Sequence, residues 1–192
     1  MQTTSLDKRI DFWKYTYARS SFRETISYCK LLLEEQDCLC QSNRKALITA
    51  LTITYSRPFT VAQVAKDKRI IPVAESIIPA EYIQLHREYI EMRDSFLAHK
   101  DATKPEIQGN ALNHVRIVVN NRQQVRWQTI QPDRMESERL KSTKDLCQIL
   151  VQKLTVLIQD FIHTEIDPLH LDMGTYVLQI ETADGKWLKR VE

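Results

Sequence analysis

Residues 144–162 read KDLCQILVQKLTVLIQDFI. Leu146, Leu150, Leu154, Leu157 and Phe161 recur three or four apart, the period that lays a single apolar stripe along an α-helix. The stripe predicts a helix over about 143–164, with Ser142 or Thr143 as its N-cap. A helix with one greasy face must bury it against another element, so the rest of the chain is searched for partners of the same period.

Three more segments supply them. Residues 6–36 carry Phe22, Ile26, Cys29 and Leu33 at helical spacing, with charged residues between them. A second helix opens near Gln41–Asn43, where Ser42 or Asn43 is a candidate cap, and stops before Pro58. A third runs from Ala80 to about Lys100, after a mixed connector over 59–79. Within that connector KDKR (66–69) is either a solvated turn or a phosphate contact.

Between helices three and four the period changes to alternation in HVRIVVNNRQQVRWQTI (114–130), which predicts a hairpin over 113–130. Face matching favours a loop that pairs Ile117 with Val125 and Val115 with Trp127, setting Arg116 opposite Arg126. That pair either recruits an anion or splays over water. A second hairpin is predicted over 175–191, with Asp184-Gly185 as a type I′ turn and Leu178, Ile180, Trp187 and Val191 on one face. Its face covers either its own helices or a partner. The expected fold is therefore mainly α: an up-and-down four-helix bundle over about 6–165, a β-hairpin between helices 3 and 4, and a C-terminal β-hairpin, all in one domain, 1–192.

Composition fits this. Only three Gly and six Pro among 192 residues argue against an all-β or low-complexity chain. With 27 Lys and Arg against 25 Asp and Glu, any affinity for nucleic acid must come from local clustering, which argues against a histone-like coating role. The opening MQTTSLDKRIDFW has no apolar signal core, and no run approaches about 18 unbroken apolar residues. A cytoplasmic protein with no membrane partner and reduced cysteines is expected. Cys38 and Cys40, in CLC, are too close for ordinary zinc-site spacing, so Cys29, Cys38, Cys40 and Cys147 are all read as structural thiols.

The chemistry-bearing stretch is RDSFLAHKD, 93–101. On the third helix Leu85, Met92, Phe96, Tyr89 and Tyr82 form one side of an apolar arc and Leu97, Ile90 and Ile83 the other, with Arg93 and His86 between them. A permanently charged guanidinium there needs an internal carboxylate, a subunit seam or a bound phosphate. His99 lies about 9 Å further along the axis and about 120° around, so a second copy of the chain is one way to bring Arg and His together. His86, in mid-arc, is read as a core residue.

Arg93-Asp94-Ser95-Phe96-Leu97-Ala98-His99 resembles the R-x(4 to 6)-H motif of the HEPN superfamily, here with a gap of five residues. Ala98, Asp101 and the upstream Tyr55-Ser56-Arg57-Pro58-Phe59 are similar to HEPN proteins of the abortive-infection kind. The resemblance covers roughly 6–165 and matches neither hairpin. It implies a homodimeric, metal-independent endoribonuclease, a toxin or antiviral defence effector, with RNA and a cognate antitoxin or inhibitor as partners and no cofactor. In that reading Arg93 and His99 are catalytic, Asp94 either orients Arg93 or is a plain surface acid, and Arg57, Arg116 and Arg126 contact RNA. The alternative is a catalytically silent helical module for dimerisation or partner binding, with RDSFLAHKD as its interface.

Overall fold

A computed structural model describes residues 5–35, 38–60, 62–65, 68–70, 72–94, 106–107, 110–111, 115–119, 125–129, 135–180 and 187–191. The protein is mainly helical. Four α-helices, α1 (Leu6–Glu34), α2 (Gln41–Ser56), α3 (Ile83–Glu91) and α4 (Ser137–Phe161), carry it. Antiparallel two-stranded pairs join β1 (Ala62–Ala65) to β2 (Lys68–Ile70), β3 (Glu106–Ile107) to β4 (Asn110–Ala111), β5 (Val115–Val119) to β6 (Val125–Thr129) and, near the C-terminus, β7 (Tyr176–Leu178) to β8 (Leu188–Arg190).

The helix ends follow local chemistry. Ser5 caps α1, its hydroxyl accepting from the Lys8 N–H at 3.3 Å, and Asp7 adds a negative charge to the first turn. At α2 the cap is Cys40, whose carbonyl accepts from Arg44 N–H. The expected caps Ser42 and Asn43 instead sit in the first turn. Pro58 follows α2, where a short 3₁₀ turn (Arg57–Phe59) takes over.

Helix α4 starts six residues earlier than its apolar stripe suggests, so Thr143 is not a cap. It is a fully buried core position, with its hydroxyl turned to Tyr89. Leu157, expected in the stripe, is 40 % exposed. Two hairpin registers also differ from expectation. β5 and β6 pair Ile117 with Trp127 and Val119 with Val125, leaving five residues between the strands and Arg116 across from Gln128. In the C-terminal hairpin Leu178 pairs with Leu188, which puts Trp187 on the other face; the Asp184-Gly185 turn lies outside the described residues.

The chain divides into two compact units. One comprises Met1–Arg23, Arg57–Ile77 and Gln148–Glu192, the other Glu24–Ser56 and Ile78–Cys147. The first is centred on aromatic stacking. Phe12 lies on Phe161 with ring centres 4.3 Å apart, Trp187 meets Phe161 edge-on at 6.2 Å, and Phe22 meets Phe59 at 5.9 Å. Leu150 and Leu154 of α4 are fully buried there, each worth about 1.5–3 kcal/mol of transfer free energy. The C-terminal hairpin thus covers its own unit through Trp187. The second unit is built on Cys29, Leu32, Ile48, Leu51, Leu140, Leu146 and Cys147 around a set of buried polar groups.

Candidate functional site

Those polar groups fix the rotation of α3. Tyr55, near the end of α2, and His86 on α3 are both fully buried, and the Tyr55 hydroxyl lies 3.0 Å from His86 Nδ1. The Tyr89 ring packs on Tyr55 at 4.8 Å, and its hydroxyl reaches Thr143 Oγ1 at 2.8 Å and donates to Met135 Sδ at 3.2 Å. The Ser56 hydroxyl, 2.8 Å from the Thr52 carbonyl, also points to the carbonyl of Tyr89 at 3.4 Å. Arg139 of α4 closes the set from the rim, with an ion pair to Glu88 at 2.5 Å and its guanidinium 5.4 Å from the centre of the Tyr89 ring.

Burial favours the neutral forms of the tyrosines and of the two thiols beside them. Desolvation pushes the Tyr55 hydroxyl far above the ordinary phenol range, helped by nearby Cys147 and Tyr89. It does the same to Tyr89, where the Thr143 hydrogen bond pulls weakly the other way. The Cys29 thiol is pushed up to about 12, and that of Cys147 well above its ordinary value, in each case first by burial. The buried tyrosines and thiols frame α3, and His86 is a buried core residue, as the sequence suggested.

With His86, Tyr89 and Met92 inward, Arg93 follows Met92 in a π-helical turn, residues 92–94, that succeeds α3 after Glu91. Its side chain keeps 21 % exposure and pairs with the adjacent Asp94, itself 50 % exposed, through Nη2 at 2.5 Å and Nε at 2.6 Å. Asp94 is therefore both an exposed helix acid and a partner of Arg93. Solvent reaches this pair mainly from the Asp94 side.

His99 lies outside the described residues, as do Ala98 and Asp101. Arg57 is exposed at the start of the 3₁₀ turn after α2. Arg116 and Arg126 are not opposed: Arg126 pairs with Val118, so the two arginines occupy the same face at diagonal positions. Sequence reading missed Thr143 and Arg139 as partners of α3. A threonine one turn before an apolar stripe is the available signal, and it points equally to a cap.

Among the described residues no group of three or more His, Cys, Asp and Glu is placed to hold a metal ion, and no helix is long and apolar enough to cross a membrane. Comparison with family models, curated proteins and solved structures finds no match for this chain.

Proposed function

We propose that this chain is a metal-independent endoribonuclease of the HEPN kind, with a composite Arg93/His99 site completed in a homodimer and an up-and-down arrangement of α1–α4. One observation carries the reading: Arg93, its side chain 21 % exposed, stands in the π-helical turn that follows α3, paired with the adjacent Asp94, which water reaches. Such turns are rare and concentrate at functional sites.

The chemistry needs little more than these residue types. RNA brings its own nucleophile, the 2′-OH beside the scissile phosphate, so proton transfer and charge stabilisation suffice. His99 takes the 2′-OH proton or protonates the leaving 5′-oxygen. Arg93 exchanges Asp94 for phosphate oxygens as negative charge builds. Asp94 holds the guanidinium in position beforehand. Arg57, Arg116 and Arg126 add contacts to the RNA backbone, and the products are a 2′,3′-cyclic phosphate and a 5′-hydroxyl end. The expected role is that of a toxin or antiviral effector held in check by an antitoxin or inhibitor.

Incubating the purified protein with mixed RNA in EDTA tests this. Fragments ending in a cyclic phosphate are expected; RNA that stays intact at high protein concentration, with inhibitor removed and trigger conditions surveyed, contradicts it. A second reading has one observation of its own. Val156 and Leu157, adjacent on α4, are 65 % and 40 % exposed, and paired apolar exposure favours a silent, partner-binding helical module. Intact RNA in the same assay would favour that module.

A further inference from the structure

Two of the four thiols do not behave as core residues. Cys29 and Cys147 are buried, but Cys38 and Cys40 are exposed free thiols in the short connection between α1 and α2. Cys40 is the N-cap of α2. Its Sγ lies 3.1 Å from Ser42 Oγ, where a cap side chain normally accepts the free N–H groups of the first turn. Cys38 is two residues away on a turned backbone, its N–H bonded to the Glu35 carbonyl at 3.0 Å, as is that of Leu39. Two residues span at most about 7 Å when fully extended. A turn shortens this into the roughly 4.4–6.8 Å between Cα atoms that a disulfide accepts.

We propose that Cys38 and Cys40 form a peroxide-sensitive dithiol, in which Cys40 reacts first and Cys38 closes a disulfide onto it. The Cys40 thiolate attacks one oxygen of a hydroperoxide, forming an S–O bond as the O–O bond breaks. Cys40 becomes a sulfenic acid, and the leaving oxygen departs as water or an alcohol after taking a proton. The Cys38 sulfur then attacks the sulfenic sulfur, the S–S bond forms, and hydroxide leaves to become water with the Cys38 proton. Two thiols are oxidised by two electrons and one peroxide is reduced. The order of events follows from surroundings. The Ser42 hydroxyl, then the backbone N–H of Asn43, hold the Cys40 thiol below its ordinary range, and a larger thiolate fraction reacts faster at neutral pH. Burial protects Cys29 and Cys147 from the same reagent.

The experiment treats the full chain with hydrogen peroxide at neutral pH and digests it without reduction. A Cys38–Cys40 disulfide within one peptide is expected, while Cys29 and Cys147 are alkylated only in denaturant. Cys38→Ser should leave Cys40 as a sulfenic acid trapped by dimedone; Cys40→Ser should slow peroxide consumption several-fold. Alkylation of the untreated protein across a pH series should show Cys40 reacting at lower pH than Cys38. Equal reactivity of the two thiols, disulfides linking separate chains, or no disulfide would each overturn the proposal. Because the readout is thiol chemistry, its outcome is independent of whether RNA is cleaved.

Discussion

Tyr89 and Phe161 are the aromatic centres of their respective units, and they are held by different means. Tyr89 is fixed by direction: a hydroxyl bonded to Thr143, a ring against Tyr55, and Tyr55 in turn bonded to His86. Phe161 is fixed by contact alone, stacked on Phe12 and met edge-on by Trp187. Hydrogen bonds in a buried site are satisfied in few arrangements, whereas apolar contacts adapt. The polar unit therefore specifies one rotation of α3, and that rotation decides where Arg93 emerges. The aromatic unit contributes stability with less demand on geometry.

The harshest way to break this contrast is truncation. Tyr89→Ala should lower unfolding free energy by about 3–5 kcal/mol, read from urea denaturation. Phe161→Ala should fall toward the lower end of that span, since Phe161 retains 8 % exposure. A larger loss at Phe161 would reverse the ranking of the two centres.

A gentler substitution sharpens it. Tyr55→Phe keeps the ring and withdraws only the hydroxyl from His86, and should cost about 1–3 kcal/mol. If the same variant is neutral, the buried polar set does not specify α3. The smallest effect is expected on the aromatic unit's surface, where Lys8 pairs with Glu165 at 2.5 Å with 60 % of the lysine side chain exposed. Lys8→Ala should change stability by less than about 1 kcal/mol, and by less still in high salt.

The helices themselves were legible because α1, α2 and α4 advertise their buried faces at helical spacing. The errors trace to interactions that periodicity does not encode. Thr143 looks like a cap because threonine favours caps; its hydroxyl instead meets Tyr89 inside the core, in a helix that already begins at Ser137. β1 and β2 went unseen in the connector because strands of four and three residues are too short to show alternation. The hairpin registers slipped because loop length sets pairing, and a shift of two residues preserves the faces while separating Arg116 from Arg126. In the candidate site, the motif was readable, but the end of the α-helix at Glu91, two residues before Arg93, was not marked by the sequence pattern.

The most direct test pairs two single variants, Arg93→Ala and His99→Ala, in RNA cleavage with EDTA present and thermal unfolding recorded on the same samples. Each is expected to lose at least about 100-fold in cleavage rate while unfolding within a few degrees of the parent protein. Cleavage at the parent rate by either folded variant would remove that residue from the reaction and, with it, the composite site.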